Sequence, residues 1–175
     1  MPQAALAVLD PIFNPTTIVT THAYCVFDTL YGADRALRPR PQMAAGHSIS
    51  ADGLEWTITL RPGLRFHDGE PVRARDCVAS IRRWAVRDGF GQVLMRAVVE
   101  LSAPDDATIL FRLNRPFPAL PDALAKPGAS PCFMMPERFA ATPPLPDARG
   151  GFGFFAGASV RAVARNRLLE RRDDD

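Results

Sequence analysis

The sequence predicts a mixed α/β fold, an α+β arrangement in which a sheet-bearing subdomain is flanked by helices. Two stretches, 54–60 and 108–113, alternate apolar and polar residues with the period of a half-buried strand. A third stretch, 77–85, places its apolar residues at the three- and four-residue spacing of a helix. With 175 residues, of which 47% are hydrophobic, the chain is long enough to bury a core.

The first part of the chain predicts an irregular segment followed by a helix. Pro11 and Pro15 are too closely spaced for a helix to cover residues 9–17. Residues 31–41 predict a connection with a turn at 32–34. Between these segments, residues 18–30 predict a helix whose apolar face consists of Val19, Ala23, Val26, Phe27 and Leu30.

The middle of the chain predicts a strand, two turns and a second helix. The strand at 54–60 ends in a Pro-Gly turn at 61–63. A further turn at 67–69 precedes the helix. In that turn we expect Asp68 to cap the backbone and Gly69 to adopt a positive φ.

This second helix predicts one apolar stripe and one charged face. Asp76 lies near the helix start, where the helix dipole favours an acid, and the Asp-Gly pair at 88–89 ends the helix. The stripe consists of Cys77, Val78, Ile81, Trp84 and Ala85. The charged residues expected to face away from it are Arg75, Asp76, Arg82 and Arg83.

The following segments predict a hairpin and two short helices. The hairpin turn is at 103–106, where proline and aspartate are concentrated. In chain order the elements are strands at 97–102 and 108–113, a helix at 117–125 interrupted by Pro121, and a helix at 134–140.

Composition excludes several function classes. A net charge of +2 is too small to indicate a nucleic-acid partner. No apolar run approaches the ~18 residues that a membrane-spanning helix needs. The apolar residues 4–9 are short and lack a basic flank, so we do not expect a signal peptide.

The cysteines and histidines predict neither a metal site nor a catalytic centre. His22, His47 and His67 show no metal-ligand spacing, and His67 is interpreted as a structural part of the turn at 67–69. No nucleophile, base and acid can be assembled, so we expect no enzyme activity and no cofactor. Buried, inert thiols are favoured over one disulfide plus a spare thiol for the three widely separated cysteines, Cys25, Cys77 and Cys132.

The central motif resembles one protein family. The stretch "WTITLRPGLRFHDGEPVRARDCVASIRRW", residues 56–84, is similar to the pattern of an aromatic strand, an FHDG turn and a helix start found in family 5 solute-binding proteins of ABC importers, the dipeptide/oligopeptide/nickel-binding type. "LDP" at 9–11, "YCVFDTLYGADRALRPRPQMAAGHSISADGLEW" and "LSAPDDATILFRLNRPFPAL" extend the resemblance to about residues 8–140. Two departures are His47, where the family has tryptophan or a similar residue, and Arg73, where a Thr or Ser usually caps the helix.

The resemblance implies a type II periplasmic-binding-protein-like fold, present in part. Residues 1–35 would begin lobe I, residues 36–140 would form the small subdomain typical of the family, and residues 141–175 would be a linker and a truncated return to lobe I, with a disordered tail. Family members are far longer, so we expect the second lobe to be missing. The family implies a periplasmic location, whereas a complete sequence with no signal peptide implies a cytoplasmic one.

The resemblance also implies a function. It predicts the substrate-binding component of an ABC importer, with a small peptide or other small solute and the ABC permease membrane subunits as partners. Ligand contact is expected at Pro15, Thr16, Thr17 and Ile18, with an ordinary surface turn as the alternative. Phe90 is expected either to form an aromatic shelf in the cleft or to pack in the core. As a fragment, the chain is expected to bind weakly or not at all; the alternatives are a non-transport interaction module and a non-functional fragment.

Overall fold

The structure, a computed structural model, describes residues 10–128 and 130–141. The predicted linker, tail and lobe I return at 141–175 lie almost entirely outside the described residues. The helices are α1 (Thr17–Val26), α2 (Ala74–Arg87), α3 (Gly89–Ala97), α4 (Leu120–Ala125) and α5 (Glu137–Ala140). The strands are β1 (Asp28–Thr29), β2 (Tyr31–Ala33), β3 (Pro39–Pro41), β4 (Ala44–Ile49), β5 (Glu55–Leu60), β6 (Val98–Ser102), β7 (Thr108–Leu113) and β8 (Phe133–Met134).

A four-stranded antiparallel sheet with the order β4-β5-β7-β6 forms the centre of the fold. Trp56 and Ile58 of β5 pair with Phe111 and Ile109 of β7, and all four side chains are buried. The two strands predicted from alternation are therefore confirmed. β4, an edge strand that was not predicted, buries only Ala44 and pairs with β5 on the side opposite β7.

Helix α2 packs its predicted stripe into the core that the sheet forms. Every member of the stripe is buried, and Trp84 Nε1 donates to the Ser130 carbonyl at 2.8 Å. The prediction that Asp76 and Arg83 face away from the core was wrong, because both are buried and bonded. Asp76 accepts from the backbone N–H of Arg73 at 2.9 Å and of Glu137 at 2.8 Å.

Arg73 is the N-cap of α2, and its side chain makes no capping hydrogen bond. A guanidinium has no acceptor for the first N–H groups of a helix. The loss of an N-cap acceptor expected from the sequence is therefore confirmed, and Asp76 supplies the reciprocal bond to the Arg73 N–H.

Asp88 ends α2 and starts α3, a helix that the sequence did not predict. Its Oδ1 accepts from Phe90 N at 2.9 Å and Gly91 N at 3.0 Å. Gly91 then packs directly on α2, where a Cβ would lie 2.8 Å from Ala85 Cα. The close approach needs glycine at that position.

The first predicted helix is shorter than expected. α1 ends at Val26, and Phe27 is extended (φ −113°), because Asp28 and Thr29 pair with Met134 and Phe133 of β8. The predicted connection at 31–41 is a hairpin of β2 and β3.

The turn and helix predictions after residue 60 hold in part. Gly69 has φ +87°, and Asp68 Oδ1 accepts from Glu70 N at 3.1 Å, as expected. Pro121 lies in the first turn of α4 and does not interrupt it. The last predicted helix is reduced to α5, because Phe133 and Met134 form β8.

One hydrophobic core connects the first segment to the subdomain. Ile12, Leu30, Trp56 and Phe133 belong to the same buried cluster. No helix within residues 10–128 and 130–141 is long and apolar enough to cross a membrane. Cys77 and Cys132 are buried as predicted, but Cys25 is exposed; none forms a disulfide.

Candidate functional site

The predicted ligand residues Pro15–Ile18 lie at the start of α1. They follow a turn in which Asp10 accepts the hydrogen bonds. The Asp10 carbonyl accepts from Phe13 N at 3.2 Å and Asn14 N at 2.9 Å, and its Oδ1 accepts from Ile12 N at 3.0 Å. Asp10 itself is fixed by a buried ion pair with Arg83 of α2. The turn therefore holds the start of α1 in a defined position on the core.

Pro15, Thr16, Thr17 and Ile18 form one exposed surface. Thr16 is the N-cap of α1, and its side chain makes no capping hydrogen bond. The first N–H groups of a helix have no partner within the helix. This surface, which we call the α1 start surface, therefore presents a hydroxyl and backbone donors to solvent.

Phe13 and Arg87 flank the α1 start surface, and neither was predicted. Arg87, the last residue of α2, places its guanidinium carbon 5.2 Å from the centre of the Phe13 ring. A cation over an aromatic face is an attractive contact. The sequence showed only that a basic residue ends α2, which the helix dipole favours; nothing in it indicated the contact with Phe13.

Phe90 makes its contacts with other residues than those of the α1 start surface. It is half-buried in the first turn of α3, packs against the core and has its ring centre 6.2 Å from that of Phe117. Within the described ranges, no hydrogen bond, ring contact or ion pair links Phe90 to residues 15–18. Its role as an aromatic shelf remains a prediction.

A cleft lies at the opposite end of α1. Its volume is about 370 Å³, and its walls come from the last turn of α1, β1, the β2–β3 hairpin and the segment after α4. We call it the α1 end cleft. Its lining includes the side chains of Tyr24, Cys25, Asp28, Tyr31, Gln42 and Lys126.

Burial changes the titration of three groups in the α1 end cleft. Desolvation raises the pKa of the Asp28 carboxyl, although hydrogen bonds from the Thr29 backbone and Gln42 act in the opposite direction. Burial also raises the pKa of the Tyr31 and Tyr24 phenols, with a hydrogen bond from the Gly128 backbone partly offsetting the effect at Tyr24. The Lys126 ammonium forms an ion pair with the buried Asp88.

The histidines and cysteines do not converge on a site. Tyr31 Oη and His47 Nδ1 lie 2.8 Å apart, and the His47 ring lies 5.2 Å from the Trp56 ring. In the part of the chain that the structure describes, no group of three or more His, Cys, Asp or Glu residues could hold a metal ion.

Sequence comparison matches the chain to known transport proteins. The profile of bacterial extracellular solute-binding proteins, family 5 middle region, matches residues 38–159. A probable peptide ABC transporter periplasmic-binding protein, y4tO of Sinorhizobium fredii, is 43% identical over 148 residues, covering 85% of this chain and 27% of that protein. The glutathione-binding protein GsiB of Salmonella typhi is 31% identical over 124 residues, covering 70% and 24% of the two chains.

Solved structures of binding proteins share the fold of this chain. The binding protein AgaA of A. tumefaciens R10, in complex with agropinic acid, matches with a TM-score of 0.62 and 26% identity over 77% of this chain and 27% of that chain. Listeria monocytogenes OppA bound to peptide matches with a TM-score of 0.64 over 78% and 30% of the two chains; at 23% identity it bears on the fold alone. The chain spans about a quarter of the length of the curated relatives it matches.

Proposed function

The chain belongs to family 5 of the bacterial extracellular solute-binding proteins, and from this membership we propose that it contributes to solute capture for an ABC importer of peptides or other small solutes. The observation that carries the proposal is the 43% identity to a probable peptide ABC transporter periplasmic-binding protein over 85% of this chain. The proposed location is the periplasm, and the proposed partners are a small solute and the ABC permease membrane subunits.

The proposed contact surface is the α1 start surface, Pro15–Ile18. Three features support this role: its exposure, a Thr16 hydroxyl that makes no capping hydrogen bond, and the first N–H groups of α1, which have no partner within the helix. Backbone-rich surfaces of this kind can bind peptides of varied sequence. Phe13 and Arg87 extend the surface with an aromatic ring and a cation. Phe90 is proposed as a further contact, with core packing as its alternative role.

The proposed mechanism is binding by enclosure, without a chemical step. A two-lobed binding protein buries its solute by hinge closure, and most of the affinity comes from the closed state. The α1 start surface is exposed, so alone it would provide one wall of such a site. We therefore expect this chain alone to bind peptides weakly or not at all.

Two calorimetric titrations test the proposal. The chain alone, titrated with a peptide and small-solute library, should show no micromolar binding. A chimera in which residues 10–141 replace the equivalent stretch of the Sinorhizobium relative should bind peptide. Micromolar binding by the chain alone would overturn the single-wall mechanism, and a folded chimera that binds no peptide would overturn the function.

Variants of the chimera test the contact surface. Ile18→Trp should reduce peptide affinity at least tenfold by obstructing the surface, whereas Val99→Trp, at a more exposed β-branched residue on β6, should leave it unchanged. Phe90→Ala should lower affinity if Phe90 contacts the solute. A fall in thermal stability with unchanged affinity would assign Phe90 to packing alone.

A further inference from the structure

The α1 end cleft contains a carboxylate that lacks a cationic partner. Asp28 Oδ1 accepts from Thr29 N at 2.8 Å and from Gln42 Nε2, while Oδ2 has no donor among the described residues. No ion pair to Asp28 occurs within those ranges either. The cleft therefore has a negative charge that no cation compensates, and a partly buried carboxylate without a counter-ion is energetically unfavourable.

The other charges of the cleft do not cancel it. Lys126 also lines the cleft, but its ammonium is paired with Asp88, whose side chain is only 6% exposed. The two charges of that pair balance each other. The net charge of the lining, together with Asp88, is therefore negative and centred on Asp28.

The hairpin fixes the geometry around Asp28. Gln42 follows β3 and donates to Asp28, while its Oε1 lies so close to Gly32 of β2 that any Cβ there would clash with it. The Gln42 amide is therefore held between Gly32 and Asp28. Its Nε2 is directed to Oδ1, which leaves Oδ2 as the acceptor available to a ligand.

The remaining walls combine polar groups with rings and aliphatic groups. Tyr24, Tyr31 and Pro127 contribute rings, and Val26 and Ala125 contribute aliphatic groups. A volume of about 370 Å³ lies within the range of small-molecule pockets, ~300–1,000 Å³. The chemistry matches a single cationic group on a short apolar stem.

We propose that the α1 end cleft binds a small organic cation, a primary ammonium or guanidinium on a short apolar stem, with the Asp28 carboxylate as its counter-ion. The site is separate from the α1 start surface, since the ten-residue α1 lies between them and spans about 15 Å. It does not depend on the proposed function. Desolvation of Asp28 supports it, because a bound cation would offset that unfavourable burial.

The test uses the full chain and three probes of similar shape. Butylguanidinium carries the cation, butylurea replaces it with a neutral group, and pentanoate carries the opposite charge. Binding is followed by backbone amide shifts of Thr29 and Gly32 and by the alkylation rate of Cys25, an exposed thiol in the cleft lining. Butylguanidinium should give saturable shifts and protect Cys25, whereas butylurea and pentanoate should do neither at the same concentration.

Asp28→Asn should weaken butylguanidinium binding at least tenfold, since asparagine retains an acceptor for Thr29 N but carries no charge. Asp34→Asn, in the exposed turn of the same hairpin, is the matched control and should bind as the wild type does. Equal binding of butylurea, or no saturable response to butylguanidinium, would overturn the proposal even if Asp28→Asn failed to fold. Undiminished binding by a folded Asp28→Asn variant would also overturn it.

Discussion

The carboxylate of Asp10 and the guanidinium of Arg83 form an ion pair in which both side chains are almost fully buried, at 10% and 7% exposed. The pair attaches the turn before α1 to the middle of α2. Asp10 also accepts from Ile12 N at 3.0 Å, so the same side chain shapes the turn and anchors it. The position of the α1 start surface therefore depends on this contact.

Removing one member of the Asp10–Arg83 pair should destabilise the fold strongly. Arg83→Met leaves a buried carboxylate without its cation, and we expect the free energy of unfolding to fall by about 3–5 kcal/mol. The double variant Asp10→Asn/Arg83→Met should recover part of that loss, because no buried charge remains. Urea unfolding followed by circular dichroism measures all three proteins.

Arg75→Met is the matched control for this cycle. Arg75 is on the same helix, but it is more than half exposed and pairs with Glu137 at 3.6 Å. Its replacement should change stability by less than about 0.5 kcal/mol. Equal losses in the free energy of unfolding at positions 75 and 83 would show that burial does not determine how much each ion pair contributes.

Gly91→Ala should lower stability, whereas Gly89→Ala should not. A Cβ at Gly91 would lie 2.8 Å from Ala85 Cα and 2.9 Å from Trp84 Cζ3, so α3 would have to move away from α2 at a loss of ~1–3 kcal/mol. A Cβ at Gly89, two residues earlier in the same helix, meets nothing within 4 Å. In thermal unfolding, Gly91→Ala should therefore lower the melting temperature, whereas Gly89→Ala should leave it unchanged or raise it, since alanine favours helix.

Alkylation should distinguish Cys25 from the two buried thiols. Burial raises the pKa of Cys77 and Cys132, with the nearby Asp76 charge adding at Cys77, so neither forms a reactive thiolate in the folded protein. Iodoacetamide at about pH 8 should add one group to the folded chain and three in urea, counted by mass spectrometry. Cys25→Ser should abolish the single folded-state adduct; two or more adducts on that folded variant would contradict the burial of Cys77 and Cys132.

The parts of the fold that the sequence predicted are those in which side-chain burial decides the structure. β5 and β7 alternate because one face is buried, and the stripe of α2 follows from its contact with the core. The motif resemblance then predicted the family and a partial type II periplasmic-binding-protein-like fold, which the profile match and the solved relatives confirm.

The elements that were missed depend on backbone contacts between distant residues. β4 buries only Ala44 and is defined by its ladder with β5, so it has no apolar period. α3 begins with Gly-Phe-Gly, a poor helix sequence, and depends on the Asp88 cap and on Gly91 packing against α2. The charged residues Asp76 and Arg83 were assigned to the surface because their partners, Glu137 and Asp10, are far away in the chain.

The candidate site was predictable only where it is continuous in sequence. Residues 15–18 are neighbours in the chain, and the structure places them together on the surface. The contact of Phe13 with Arg87 and the arrangement of Asp28, Gln42 and Gly32 arise from tertiary packing, which no local pattern encodes.

The partly buried carboxyl of Asp28 should make the free energy of unfolding fall with rising pH over a defined interval. Its folded-state pKa is raised above the ordinary value near 3.8, mainly by desolvation, so the folded chain binds more protons than the unfolded chain between those two pKa values. The Asp28 contribution therefore becomes unfavourable as pH rises through that interval and is constant above it. Asp28→Asn removes this contribution, so its stability relative to the wild type should increase with pH and then level off in urea titrations between about pH 3 and pH 8.

Asp34 and Asp52 change the free energy of unfolding with pH in the opposite direction, because their pKa values are lowered, chiefly by hydrogen bonds from the Arg38 backbone and from Ser50 respectively. Both residues are present in the wild type and in the variant, so their contributions cancel in the difference. A difference that is flat with pH would show that Asp28 is solvated, and it would remove the electrostatic basis of the cation site as well.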